Sequence, residues 1–144
     1  MTSKYHQIDL EQLVKDGSKV TLRCPFPKCN TRVIPLGKSL YENFQVVKNS
    51  PDMVETDEAR INQDTKNFFK VNDVWDFDNI GVSKPSDDLK NPEIDTKFFK
   101  IERLLVCSEC DRGPLGFAGH ETEQKDVNQL KYFLSCSSVV YDIE

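Results

Sequence analysis

Two cysteine pairs constrain this chain more than anything else in it: Cys24-Pro-Phe-Pro-Lys-Cys29 and Cys107-Ser-Glu-Cys110, with 77 residues between them. Each is a short bracket that turns two sulfurs toward one point, and four thiolates brought together in this way can surround a tetrahedral zinc. A metal so held would join the two ends of a long, mostly polar segment. Two other uses of the cysteines compete with this one. Disulfides need an oxidising compartment, and the stretch from Met1 to Leu10 has no apolar run of the kind a secretion signal requires. Five cysteines also suit four ligands and one bystander better than a full disulfide set. A redox Cys-x-x-Cys wants a βαβ setting and no partner pair, and neither condition is met. We therefore expect one structural zinc, held by Cys24, Cys29, Cys107 and Cys110. Cys136, in Leu-Ser-Cys-Ser-Ser, reads as a small buried apolar residue, with a reactive thiol as the alternative.

The chain has 144 residues, which suggests a single domain spanning 1–144. With 38% hydrophobic and 30% charged residues, the core is thin for the length. Structural zinc, with an apparent binding energy on the order of 10 kcal/mol or more, would supply part of the missing stability. No apolar run approaches 18 residues, so no membrane span is expected. A net charge of −5 disfavours a phosphate-binding surface, hence nucleic acid, and favours a partner with a basic face.

Along the chain, Asp9 is placed to cap a short helix through Leu10, Leu13 and Val14, with Gly17 just past its end. Val20–Arg23 and Thr31–Ile34 read as strands flanking the first bracket, whose turn is stiffened by Pro25 and Pro27. Leu40–Val47 is a further strand candidate from its aromatic and β-branched content. Segments 48–67 and 83–97 are polar, with few core anchors, and are expected to be mobile loops. Phe68–Val71, Phe98–Val106, Leu130–Leu134 and Val139–Tyr141 read as strands. Gly113 to Gly116 reads as a turn. Short strands and little helix argue for a mainly antiparallel β domain.

The central stretch from Asn72 to Val82 is the most unusual. Val74, Trp75, Phe77, Ile80 and Val82 are apolar, and Asp73, Asp76, Asp78 and Asn79 are interspersed among them. With a period of two, Trp75 and Phe77 share a face. The plain reading is a core strand with a solubilising outer face. The functional reading is an exposed aromatic rimmed by acids, the composition of a binding hot spot. No nucleophile sits beside a base, and His6 and His120 read as surface or packing residues.

Taken in order, the Cys-x4-Cys, the central Asn-Asp-Val-Trp-Asp-Phe-Asp-Asn-Ile-Gly-Val and the Leu-Val-Cys-Ser-Glu-Cys-Asp-Arg-Gly-Pro-Leu-Gly resemble the Rab-interacting exchange factors. This is the family of the mammalian and yeast suppressors of Sec-four defects. The wider first bracket and the Trp-Asp-Phe-Asp-Asn core are more similar to the fungal dominant suppressor than to the mammalian form. The resemblance runs from about Val20 to Tyr141.

It implies a zinc-stitched antiparallel β-tent with Cys24, Cys29, Cys107 and Cys110 as ligands. It implies a monomer that binds exocytic Rab GTPases, promotes nucleotide release and holds the nucleotide-free form in vesicle-mediated transport, in the cytoplasm or on membranes through its Rab. The GTPase-contacting surface it implies is Asp73, Val74, Trp75, Asp76, Phe77, Asp78 and Asn79, with Glu109 and Asp111 beside the second bracket. Asn79 and Gly81 have a second reading, as shapers of the turn that presents this motif. The competing class is an enzyme of the same fold, a methionine sulfoxide reductase of the B type. That reading would need Cys136 as its nucleophile.

Overall fold

The computed structural model describes residues 2–50, 53–54, 65–83, 92–94, 97–121 and 130–144. Among the described residues eleven strands run in chain order: β1 Thr2–Lys4, β2 Val20–Arg23, β3 Arg32–Leu36, β4 Phe44–Lys48, β5 Thr65–Val71, β6 Ile80–Val82, β7 Glu93–Ile94, β8 Lys97–Cys107, β9 Gly116–Glu121, β10 Lys131–Ser135 and β11 Val140–Ile143. Two short helices, α1 Leu10–Lys15 and α2 Lys38–Glu42, lie between them. The expected mainly β, antiparallel class is what the fold shows.

The strands form two sheets. One has four strands in the order β1-β11-β2-β3. The other follows β6-β8-β7-β4-β5-β10-β9, and an added β8–β9 pairing closes it into a ring, with β6 alongside β8. Long β8 makes this possible. Its start pairs with β7, its middle with β9, and its end with β6, where Ile80 lies opposite Cys107.

Adjacent residues of a strand face opposite ways, and the doublets in β5 and β10 use both faces. Phe68 and Phe133 point into the ring with Val47, Met53, Phe99, Ile101 and Phe117. Phe117 stacks on Phe133 at 4.9 Å between ring centroids, and Phe68 and Phe99 meet this pair edge-on. Their neighbours Phe69 and Leu134 face the other way, into a second core shared with Val20 and Leu22 of β2, Val33 and Ile34 of β3 and Tyr141 of β11. The small sheet therefore packs on the outside of the ring, and strands buried on both faces read as unbroken apolar runs.

The ring admits no extra bulk where β9 meets β10. A Cβ placed on Gly116 would fall 2.0 Å from the Phe133 carbonyl oxygen. Backbone cannot yield as a flexible side chain does. Gly116→Ala is therefore expected to lower unfolding free energy by at least about 3 kcal/mol, read as a shift in the denaturant midpoint.

Several expectations hold. Asp9 Oδ1 accepts from Gln12 N at 3.2 Å, and Gly17 has a φ of 67° just beyond α1. The strands on either side of the first bracket and the strand leading into the second are present, while β9 after the second bracket was not anticipated. Two readings need correction. Leu40–Val47 is not one strand: Lys38–Glu42 is helical, and β4 begins only at Phe44. Asn43 divides them, its side-chain amide donating to the Ser39 carbonyl at 2.9 Å and closing the helix while Leu40 stays buried. The second correction concerns Val74 to Val82 and is given with the site. Most of 48–67 and 83–97 lies outside the described residues. Within them, Met53 is a buried core residue, β5 starts at Thr65, and β7 covers Glu93–Ile94.

Candidate metal centre and exposed tryptophan turn

The first bracket hangs between β2 and β3. Cys24 N donates to the Thr31 carbonyl at 2.8 Å, closing the hairpin below the turn. Cys29 N and Asn30 N both donate to the Phe26 carbonyl, and Asn30 takes a left-handed φ of 48°. The second bracket follows β8. Asp111 N donates to the Cys107 carbonyl at 2.8 Å, with Asp111 itself at φ 56°. Asparagine and aspartate tolerate that region better than other non-glycine residues. The Arg112 guanidinium lies 5.1 Å over the Phe26 ring, so one bracket also packs on the other.

The four thiols converge, all lying within 4.8 Å of one another. Cys24 and Cys110 approach to 3.7 Å between sulfurs, and Cys29 and Cys107 to 3.6 Å. Sulfurs about 2.3 Å from a tetrahedral metal form a tetrahedron with edges of about 3.8 Å. The donor set thus fits a metal ion in size as well as in chemistry. Burial pushes the Cys24 and Cys107 thiols up. A cation at the centre would compensate for gathering four thiolates there. Cys136 lies apart from this group and is fully buried. Burial raises its thiol well above the ordinary range, which disfavours the thiolate that a nucleophile or reductase needs. In the folded protein Cys136 is therefore expected to resist a maleimide that labels it within minutes after denaturation; labelling at equal rates in both states would contradict this burial.

The central motif is a turn. Val74–Asp76 forms a single 3₁₀ turn, capped by Asp73, whose Oδ1 accepts from Trp75 N at 2.9 Å. In such a turn residues three apart are eclipsed, so Val74 and Phe77 face inward together. Phe77 is buried, edge-on to Tyr132 at 6.4 Å. Trp75 is 87% exposed. The shared face expected of Trp75 and Phe77 is thus overturned, because Asp73 caps a turn where alternation alone suggested a strand. Only Ile80–Val82 pairs as a strand.

The remaining motif residues divide by what they touch. Asp73 and Asp76 are exposed on either side of Trp75, and Glu109 and Asp111 are exposed on the second bracket. Asp76 also lines a hollow of about 340 Å³ with Ile34, Leu40 and Val71. Asp78 is half-exposed and takes the Arg32 Nε at 2.9 Å, while its own N–H donates to the Val33 carbonyl at 2.6 Å. Asn79 has a φ of 38° and holds Thr31 and Arg32 through its side chain. Thr31 and Arg32 were not singled out from sequence, and no local pattern marks them, since their partners lie more than forty residues away. Among the histidines, His120 pairs with Glu102 at 2.9 Å across β8 and β9; the His6 side chain lies outside the described set.

Comparison with known proteins agrees with this geometry. The family model described as "Mss4 protein" matches residues 18–141. Protein DSS4 of Saccharomyces cerevisiae is 33% identical over 144 aligned residues, covering 85% of this chain and 95% of its own length. A guanine nucleotide exchange factor MSS4 homolog of Drosophila melanogaster is 28% identical, covering 77% of this chain and 81% of its own. A protein of the same name from Schizosaccharomyces pombe is 34% identical over 80 residues, 56% of this chain and 61% of its own. The matched span takes in both cysteine brackets and the tryptophan turn between them, and on that span the chain belongs to the Mss4 family.

Proposed function

We propose that this protein is a guanine-nucleotide-releasing factor and holdase for exocytic Rab GTPases, acting as a single domain by binding rather than by bond chemistry. The observation that carries the reading is Trp75, the one tryptophan of the chain, standing 87% exposed on a turn flanked by Asp73 and Asp76. An exposed, preorganised tryptophan with an acidic rim is what a protein-binding hot spot requires. The names of the Drosophila and fission-yeast relatives support the same reading.

The proposed contact surface is the segment Asp73, Val74, Trp75, Asp76, Phe77, Asp78 and Asn79, with Glu109 and Asp111 from the second bracket. Within it, Trp75 meets apolar switch residues of the GTPase. Asp73, Asp76 and Glu109 meet basic groups that lose their partners when phosphate leaves. Phe77 acts from beneath by holding the turn. One zinc ion on Cys24, Cys29, Cys107 and Cys110 supports the surface structurally. A four-sulfur tetrahedral set is the usual donor choice for that metal.

The mechanism is differential binding. A GTPase grips its nucleotide through a phosphate loop, magnesium and ordered switches. A partner that prefers the empty form must, by linkage, weaken the nucleotide to the same degree. Shifting a GTPase from almost wholly loaded to almost wholly empty takes a preference of about 10⁴-fold, near 5.5 kcal/mol. If the empty complex is long-lived, release and protection of the empty GTPase are two outcomes of one preference. This would serve vesicle transport in the cytoplasm, with membrane association through the Rab.

A panel of Rab GTPases, each nucleotide-free or loaded, tests the reading. The protein should capture exocytic members in their empty state and release them when GTP and magnesium are added. Equal capture of loaded and empty forms, or capture of none, would overturn it.

A further inference from the structure

Asn79 touches both cysteine brackets at once. Its side-chain Nδ2 donates to Thr31 Oγ1 at 3.1 Å and to the Arg32 carbonyl at 3.0 Å. Thr31 is the residue whose own carbonyl accepts from Cys24 N, so this half of the contact rests on the first bracket. The Asn79 carbonyl accepts from Ser108 N at 3.0 Å, inside the second bracket, and the next residue, Ile80, pairs with Cys107. One position earlier, Asp78 binds the strand leaving the first bracket twice, through the Val33 carbonyl and the Arg32 guanidinium. The tryptophan turn ends at Phe77, so its exit strand is held at two successive residues.

We infer that Asn79 is a positioning residue that couples the four-thiolate centre to the exposed Trp75 turn, so that the turn is presented only while a metal holds the two brackets together. The first bracket and the second are remote in sequence, and the Cys24–Cys110 and Cys29–Cys107 sulfur contacts are the meeting points of the ligands. Asn79 spans the same junction from the side of the turn. If the brackets separate, Thr31 and Arg32 move away from Ser108, and Asn79 cannot keep both sets of hydrogen bonds. The turn then loses its anchor before the rings of the core are disturbed.

The residue type fits this role. The left-handed φ of 38° admits glycine, asparagine or aspartate with least strain. Of these, asparagine alone carries an amide nitrogen with two protons, one for each acceptor. A carboxylate would present oxygen to the Arg32 carbonyl, and glycine would present nothing. A role confined to turn shape is therefore satisfied by Asn79→Gly, and a coupling role is not.

That distinction gives the test. Metal-loaded wild type and Asn79→Gly are compared by metal content, by the fluorescence anisotropy of Trp75, and by amide hydrogen exchange at Asp76 and Phe77, which are hydrogen-bonded in the turn, and at Asp78, which donates to the Val33 carbonyl. Coupling predicts wild-type metal content in the variant, lower Trp75 anisotropy, and exchange faster on the order of tenfold at these amides. When a chelator is added to the wild type, exchange at the same amides should rise ahead of exchange in the ring strands β9 and β10, whose loss marks global unfolding, and in the variant no such early rise should be left to see. Wild-type anisotropy and exchange in metal-loaded Asn79→Gly would overturn the coupling. If that variant does not fold, Thr31→Val, which deletes one acceptor and leaves the left-handed position untouched, replaces it; unchanged exchange at the three amides then overturns the proposal. No GTPase enters the measurement, so its outcome is separate from that of the proposed function.

Discussion

Cys107→Ser is expected to abolish metal binding and, with it, cooperative folding. The sulfur of Cys107 is buried and lies 3.6 Å from that of Cys29, and serine offers neither a soft ligand nor the same reach. Structural zinc contributes on the order of 10 kcal/mol to small metal-bound folds, as much as the whole net stability of an ordinary domain. Here an ion on the four thiols would join a hairpin of the small sheet to the end of β8, the strand that also closes the ring. Metal content should fall to none, and the denaturant transition should become broad and shift to low midpoint. The same logic sets a pH dependence. A metal ion binds sulfur only when it is deprotonated, so the contribution of a bound ion would be present at neutral pH and lost as protons compete for sulfur on acidification. A variant that retained both a sharp transition and the wild-type midpoint would show that the ion is dispensable.

Trp75→Ala should produce the opposite pattern, loss of partner binding with the fold intact. Trp75 is almost entirely exposed, so its removal takes little from the core, whereas a central aromatic in an interface is commonly worth 2 kcal/mol or more. Affinity for an empty GTPase should fall about 30-fold or further, with an unchanged unfolding midpoint. Phe77→Ala separates the two roles. Phe77 is buried beneath the turn, and emptying its site should lower stability by about 3–5 kcal/mol. Equal affinities for wild type and Trp75→Ala would move the interface elsewhere.

The four-cysteine cluster was legible in the sequence because its information is local: two short brackets, each with its own turn chemistry, and a cysteine count that leaves one thiol over. The strands on either side of the first bracket and the one leading into the second were legible for the same reason, being apolar and β-branched runs that meet a fixed turn. The tryptophan turn was not. Alternating aspartate and apolar residues read as a strand, and the decisive contact is one side-chain hydrogen bond from Asp73 to the Trp75 amide. Aspartate before a run that buries its first and fourth residues is the signal that would have found it. The split at Asn43 is a similar case, where one amide closes a short helix inside an apparently β-rich run. Least legible were Thr31 and Arg32. Their partners, Asn79 and Asp78, meet them only because two hairpins far apart in the chain converge on the same centre. The resemblance recognised from three ordered motifs supplied the family, while the structure supplied the division of labour inside the motif: Trp75 outward, Phe77 inward, Asp78 and Asn79 toward the brackets.

The most direct test of the account is the dissociation of a fluorescent guanine nucleotide from an exocytic Rab, followed as this protein is titrated at fixed magnesium with excess unlabelled nucleotide. The account predicts that dissociation accelerates with concentration to a plateau, that the effect disappears with Trp75→Ala, and that without free nucleotide an empty Rab complex accumulates. A dissociation rate constant that stays at its intrinsic value across the titration, with no empty complex formed, would contradict it.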